Sequence, residues 1–367
     1  MRNEECVAAQ ELPLLVIDRA DFQKQYDERL PSYQRLAESL EKALKVLLEL
    51  QDIPFLDVTF RVKAANSGYE KIIKKGYTNP FLEIQDWCGV RVVCYYPSDV
   101  ERICEIIRKE FDVKYYEDTA ARLSPDAFGY RSIHFILCLR AEWTRIPIYQ
   151  GLETMEAEVQ VRTVLMHAWA EIEHKLKYKS NIAVPQQFQR QLYRLSAKFE
   201  ESDEQFEALR TGIEAYREEL ANKKTSIEDF RELELNLDTL VAFLDLALPT
   251  DSYRPIDTYN SGDYILNQLV NNQLTMTDIV GAFKLGKDLG VEAARKYASY
   301  TGMNTPDINQ LDVFICTMAI ANDKYYEENI VKPYDMDNPG SHTRFKRNAI
   351  IGMRSRLNQG RIDGSIK

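Results

Sequence analysis

The chain has 367 residues, enough for two or three domains with a sizeable core. At 45% hydrophobic and 28% charged it reads as an ordinary globular protein, and a formal net charge of −10 excludes a globally basic nucleic-acid binder, so any cationic site has to be local. No run of about 18 apolar residues occurs, so no membrane-spanning helix is expected, and the acid-bearing start MRNEECVAAQELPLL makes a poor signal peptide.

The six cysteines, Cys6, Cys88, Cys94, Cys104, Cys138 and Cys316, include no CxxC pair, and several sit in apolar runs. They read as reduced core thiols of a cytoplasmic protein, not as disulfides or zinc ligands. Residues 1–50 form an N-terminal helical segment in which Pro31 starts or interrupts a helix. After it, Tyr33, Leu36, Leu40, Ala43, Leu44 and Leu47 keep helical spacing. From about residue 55 short strand patterns take over. DVTFRVK alternates, and GVRVVCYY (89–96) is β-branched and aromatic, as a central strand should be. Ser98 and Asp99 then cap a helix to about Glu110, with Val100, Ile103, Cys104 and Ile107 as its apolar face. DVKYY, RSIHFILCL and MEAEVQV supply further strands. Thr163 caps the next helix, whose packing face is Leu165, Trp169, Ile172 and Leu176.

Strands alternating with helices predict an α/β or α+β sheet domain over residues 51–183. Pro185 marks the next boundary. Residues 184–248 read as long helices, the first with a near-heptad seam of Phe188, Leu192, Leu195, Phe199, Phe206, Leu209, Ile213, Tyr216 and Leu220. That seam either packs on neighbouring helices or dimerises. Ile227 to Leu248 reads as one amphipathic helix, and 249–260 as a loop. The region 249–367 is helical, one helix opening at Thr305-Pro306-Asp307. Its tail sets Arg344, Lys346, Arg347, Arg354, Arg356, Arg361 and Lys367 against a single acid, Asp363. This is either a solvated helix face or a contact to RNA or a partner's acids.

Four stretches of the sheet domain carry chemistry. Between Asp57 and Pro80 five basic residues (Arg61, Lys63, Lys71, Lys74 and Lys75) face two acids, a cationic shelf in an acidic protein. Arg61 and Lys63, two apart on a strand, share a side. In QDWCGVRV, Asp86 stands alone at the entrance of an apolar strand, with Arg91 five residues on; it is either a turn cap or a hard-oxygen ligand for Mg²⁺. GYRSIHF brings Tyr130, Arg131 and His134 to one rim: a flat π-face, a cation and a donor. In EVQVRT, Glu158, Gln160 and Arg162 alternate on one strand face, which is costly in a sheet core unless they have work there. His167 lies in the first turn of the following helix, suited to capping or packing, and His174 reads as surface. No Walker GxxxxGK[ST], no GxSxG and no nucleophilic Cys–His pair appears. The set fits direct transfer of a phosphorus group to a hydroxyl, with Asp86 and Glu158 holding one Mg²⁺ and one acid taking the proton.

Arg61-x-Lys63-xxx-Ser67-xxx-Lys71, Asp86-xx-Gly89-x-Arg91, Gly129-Tyr130-Arg131-Ser132-x-His134 and Glu158-x-Gln160-x-Arg162-Thr163 together resemble the synthetase domain of RelA/SpoT proteins, above all the small alarmone synthetases. The resemblance covers roughly residues 35 to 200 and rests on four ordered motifs with matching internal spacing. It implies a nucleotidyltransferase-like mixed β-sheet flanked by helices, an α+β fold, here followed by an all-α C-terminal region. It implies a GTP diphosphokinase-like enzyme that moves pyrophosphate from ATP to the 3′-hydroxyl of GDP or GTP, releasing AMP. Arg61 and Arg91 would sandwich the donor adenine, and Lys63, Ser67, Lys71 and Lys74 would hold the ATP phosphates. Asp86 and Glu158 would bind Mg²⁺, Glu158 also activating the hydroxyl. Tyr130 would stack on the acceptor base, and Arg131, His134, Gln160, Arg162 and His167 would line the acceptor side.

The family's acceptor loop reads like PKxNGYRS, whereas this chain reads SPDAFGYRS. Asp126 stands where a lysine to the acceptor's phosphate is expected, and Phe128 replaces an asparagine. One swapped charge at a few ångströms shifts binding by roughly a few kcal/mol. A second reading is therefore a toxic relative of the toxin–antitoxin kind, modifying the tRNA 3′ end or adenosine nucleotides. Its C-terminal helices would then respond to an antitoxin or a phage protein. A third is a nucleotide-binding scaffold without catalysis. The four histidines form no His-Asp hydrolase pair, so synthesis without hydrolysis is expected, and small synthetases often form homo-oligomers.

Overall fold

The computed structural model describes residues 17–119, 132–178, 185–257, 261–301, 308–332 and 341–362. They divide into two compact units, Met1–Arg210 and Thr211–Lys367. The first is a five-stranded mixed sheet with helices: α1 (Arg19–Leu50), β1 (Phe55–Val62), α2 (Ala65–Lys75), α3 (Pro80–Glu83), β2 (Cys88–Cys94), α4 (Pro97–Glu110), β3 (Asp112–Asp118), β4 (Ile133–Cys138), α5 (Ala141–Thr144), β5 (Ala157–Thr163) and α6 (Val164–Tyr178). Helix α7 (Gln186–Lys223) follows and supplies residues to both units. The expected α+β class is the observed one.

Asp18 starts α1, its carboxylate accepting from the backbone N–H groups of Ala20 and Asp21. The helix neither starts nor breaks at Pro31 but runs through it. An internal proline costs about 3 kcal/mol. Eight residues of α1 are buried, among them Phe22, Leu36, Leu40 and Leu44, and each large apolar side chain buried contributes roughly 1.5–3 kcal/mol. Packing outweighs the lost N–H.

The strand order is β1-β2-β5-β4-β3; β2 and β5 run parallel, and the other neighbours are antiparallel. Alternation gives the sheet two faces. Cys88, Val90, Val92, Val159, Val161, Phe135 and Leu137 are buried in the core that α1 and α4 cover, whereas Gly89, Arg91, Glu158, Gln160 and His134 are only half-buried.

Three expectations need correction in this unit. Helix α4 is entered through Tyr96 with Pro97 at its first position, so Ser98 and Asp99 are not its cap. Asp99 is instead fully buried between Arg102 at 3.1 Å and Arg210 at 2.9 Å, and Ser98 bonds Glu207. On α6, Trp169 and Met166 are buried but Ile172 and Leu176 are exposed. Along α7, Leu192 and Leu220 are buried, while Phe188, Leu195, Phe206, Leu209 and Ile213 are exposed.

The second unit is helical: α8 (Leu237–Ala247), α9 (Asp263–Asn271), α10 (Met276–Thr301), α11 (Gln310–Ala321), α12 (Asp323–Tyr326) and α13 (Ser341–Ile362). The stretch expected as one helix from Ile227 to Leu248 is broken: a 3₁₀ turn over Ile227–Phe230 precedes α8, which Asn236 caps through Thr239 N–H. Helix α11 is capped by Asn309. Thr305, Pro306 and Asp307 lie outside the described residues. In the basic tail, Ile350, Met353 and Leu357 bury one side of α13. Lys346 pairs with Asp312 at 2.9 Å, Arg356 with Glu292 at 2.7 Å, and Arg354 with Asp323 and the carbonyls of Ala319 and Ile320. Those three cations serve acids and carbonyls of their own unit, so the tail is not simply a solvated basic face.

Among the described residues, Cys88, Cys94, Cys104, Cys138 and Cys316 are buried free thiols, and no helix is long and apolar enough to cross a membrane.

Candidate active site

The polar residues of the half-buried sheet face fall into register. Arg61 on β1 lies opposite Gly89 on β2, which lies opposite Glu158 on β5. In the adjacent row Thr59, Arg91, Gln160 and His134 follow one another across four strands. Residues directly opposite share a face, so the alternation in RVK, GVR and EVQ converges on one patch. It bounds a cavity of about 320 Å³ lined by Arg61, Lys63, Asp86, Arg91, Glu158 and Gln160, with the side-chain-free Gly89 between them.

Asp86 precedes β2 and is tied from two directions. Lys63, just past β1, reaches its Oδ2 at 2.8 Å, and Lys71, in the middle of α2, reaches Oδ1 at 2.9 Å. Burial pushes the Asp86 carboxyl up, but the two ammonium groups outweigh it and hold the group below the ordinary aspartate value. Helix α2 can approach because residue 68 is glycine: a Cβ there would sit 2.3 Å from a ring carbon of Trp87. Trp87 is itself held among Phe22, Tyr26, Tyr33 and Phe81.

Glu158 receives His134 Nδ1 at 2.9 Å on Oε1 and donation from Gln160 Nε2 at 2.9 Å on Oε2. Burial raises its carboxyl most strongly, the hydrogen bond and charge of His134 together with the hydrogen bond from Gln160 lower it, and the net shift is downward, with the charge of Asp86 felt as an opposing effect. Both acids are therefore carboxylates at neutral pH and face the same cavity. They fit a Mg²⁺ ion in kind: hard oxygen donors, no thiol or imidazole cluster, and one or two carboxylates, the number Mg²⁺ takes when phosphates complete its shell. Among the described residues no group of three His, Cys, Asp or Glu is preassembled for a metal.

Arg91 reaches across to α6, where Glu171 holds its Nη1 at 3.3 Å. Its Nε and His167 Nδ1 are buried without a hydrogen-bond partner. Burial and then the charge of Arg91 lower the pKa of His167, keeping its imidazole neutral. Ser67, in the first turn of α2, and Lys74, exposed in its last turn, lie outside the cavity lining. Arg162 is buried and donates from Nε to Ser132 Oγ at 3.0 Å. Tyr130, Arg131, Asp126 and Phe128 lie outside the described residues. Sequence reasoning does not single out Thr59 or Glu171. Thr59 is one strand repeat before Arg61, and Glu171 one helical turn after His167, so periodicity extended from the chosen residues reaches both.

Residues 60–183 match a family model described as the region found in RelA / SpoT proteins. GTP pyrophosphokinase YjbM of Bacillus subtilis is 30% identical over 56% of this chain and 98% of its own length. GTP pyrophosphokinase YwaC of the same organism is 34% identical over 35% of this chain and 60% of its own. The crystal structure of small alarmone synthetase 1 from Bacillus subtilis is 29% identical with a TM-score of 0.45, covering 52% of this chain and 99% of that one.

Proposed function

The chain belongs to the RelA/SpoT family, with small alarmone synthetases as its relatives, and from that membership we propose that it moves the β,γ-diphosphate of ATP onto the 3′-hydroxyl of GDP or GTP. It is a pyrophosphotransferase by relationship. The acceptor, the metal and the residue roles are our reading, and one observation carries it: Asp86 and Glu158, 72 positions apart in sequence, line one cavity with Arg61, Lys63 and Arg91.

In this reading Arg61 and Arg91 flank the donor base over the bare backbone of Gly89. Lys63, Ser67, Lys71 and Lys74 grip the triphosphate from several directions, as closely spaced phosphates require. Asp86 and Glu158 hold Mg²⁺, which when bound neutralises charge on the phosphate oxygens. Glu158 accepts the proton of the acceptor's 3′-hydroxyl, and His134 and Gln160 hold its carboxylate in place. The 3′-oxygen forms a bond to the β-phosphorus as the bond from that phosphorus to the bridging oxygen breaks; AMP leaves with the bridging oxygen. Tyr130 stacks on the acceptor base, with Arg131, Arg162 and His167 on the same side. The enzyme synthesises and does not hydrolyse.

Asp126 and Phe128 favour a second reading. An acid in place of the expected lysine disfavours an acceptor with a free 5′-diphosphate, and the 3′-terminal adenosine of tRNA has none. The helical second unit would then serve an antitoxin or phage-protein response. Incubating the full chain with γ-labelled ATP and GDP, GTP or bulk tRNA separates the readings. Label in a guanosine product supports the first, and label on tRNA the second. ATP binding without transfer to any of them would leave a non-catalytic scaffold.

A further inference from the structure

Asp86 is countered twice, and both of its countercharges are the lysines assigned above to the phosphates. Lys63 Nζ is 2.8 Å from Oδ2 and Lys71 Nζ 2.9 Å from Oδ1. The three side chains are only 16–33% exposed, so water does little to loosen the set. A divalent cation approaching Asp86 in this state meets two ammonium groups at the oxygens it needs. Glu158, the other acid of the cavity, has no lysine or arginine partner among the described residues; it is held by His134 and Gln160. The two acids are thus unequal: one is closed by cations and the other is not.

A polyphosphate presents oxygens of the same sign and hardness as those of Asp86, in greater number. Lysine is a point charge with three donors on a flexible stem, and it can change partner by rotamer alone. We propose that Lys63 and Lys71 form an exchangeable cap on Asp86. In the nucleotide-free protein they close the carboxylate to divalent cations, and a polyphosphate entering the cavity draws both onto its own oxygens. Asp86 becomes a metal ligand only once the donor is seated. The cap also keeps Asp86 from standing as an uncompensated, partly buried charge while the site is empty of nucleotide. This inference rests on the reading of Asp86 as a metal ligand and of the two lysines as phosphate contacts.

The test is a Mn²⁺ titration of the nucleotide-free full chain, read by electron paramagnetic resonance. Lys63→Gln with Lys71→Gln should tighten Mn²⁺ binding at least about tenfold over wild type. The same double variant should bind α,β-methylene ATP more weakly in calorimetry with Mg²⁺. Opposite signs for metal and nucleotide are not produced by structural damage. Lys71→Gln alone, on the helix and away from β1, should tighten Mn²⁺ several-fold if the double variant folds poorly. Adding Asp86→Asn to either lysine variant should return Mn²⁺ affinity to the wild-type level. Equal Mn²⁺ affinity in wild type and lysine variants overturns the cap while leaving Asp86 a ligand candidate. Tight Mn²⁺ binding that survives Asp86→Asn overturns the assignment of Asp86 itself.

Discussion

Thr163 donates its hydroxyl to Asp203 at 2.6 Å and, through the same oxygen, accepts the backbone N–H of Met166 at 3.0 Å. The last residue of the strand that carries Glu158 and Gln160, and the first turn of the helix that carries His167, are fixed by one hydroxyl and one acid of α7. Ser98 with Glu207, and Asp99 with Arg210, fasten α7 to the start of α4 in the same way. The first part of α7 therefore belongs structurally to the sheet that carries the candidate site, although it lies beyond the family-matched residues 60–183.

Thr163→Val should remove both bonds and take one charge-assisted hydrogen bond from the buried Asp203 carboxylate. The expected cost is about 1.5–3 kcal/mol, the range for a hydrogen bond to a charged group, and Thr163→Ser should restore most of it. Tryptophan fluorescence during urea unfolding reads this unit alone, since Trp87, Trp143 and Trp169 all lie within it. Equal stability of the Val and Ser variants would mean that the bond to Asp203 does not hold the strand.

Gly68→Ala should force α2 off Trp87, because the new methyl has ring carbons at 2.3 and 2.5 Å and Trp87 is packed on its other sides. Overpacking of this kind costs about 1–3 kcal/mol. Lys71 rides on α2, so the affinity for α,β-methylene ATP should fall alongside the stability. Unchanged affinity with reduced stability would show that α2 shifts without carrying Lys71 away from Asp86.

The strands and the site's alternation were legible from the sequence because both follow one period. Residues i and i+2 share a face whether they are Val90 and Val92 in the core or Glu158 and Gln160 in the cavity. What misled was local grammar overruled by distant partners. Asp99 has the chemistry of a cap, but Arg210, 111 positions on, takes it into the core. The break before α8 is masked because Leu233 and Leu235 pack against the core from irregular backbone, continuing the apolar spacing of a helix that is not there. The tail's excess charge is answered by Glu292, Asp312 and Asp323, acids that lie outside the tail in sequence.

That pairing makes a prediction for the tail. Lys346 bonds Asp312 and lies 5.1 Å over the Tyr297 ring, and both members of the ion pair are about three-quarters covered. Lys346→Met should cost about 1–3 kcal/mol by leaving Asp312 without its countercharge. Arg356→Gln, on a largely exposed pair with Glu292, should cost no more than about 1 kcal/mol. Calorimetry on the full chain measures both. A larger loss from Arg356 than from Lys346 would reverse the assignment of which cation is structural.

Asp86 and Glu158 also contribute to the acid limb of stability. Each has a folded pKa below its ordinary value, so each contributes stability that is complete above the unfolded value, about 3.9 for Asp and 4.3 for Glu. That contribution is lost as pH falls through the lower folded value. Lys71→Met removes one of the two groups that depress Asp86. The variant should be less stable than wild type at pH 7, and the gap should close as pH falls below about 4. A gap independent of pH would mean that Lys71 contributes by packing and not through the Asp86 charge.

Glu158→Gln tests the chemistry directly. The amide keeps the size of the side chain and stays within reach of His134 and Gln160, but it cannot take a proton from a hydroxyl. A positioned general base contributes about 10²–10⁴-fold to rate, so transfer from γ-labelled ATP should fall by at least about 10²-fold. Binding of α,β-methylene ATP to this variant without added metal should stay within about threefold of wild type, since the phosphate contacts assigned here come from β1 and α2 and not from β5. Wild-type turnover would remove Glu158 from the base role, and a matching loss of nucleotide affinity would make it a donor-site residue instead.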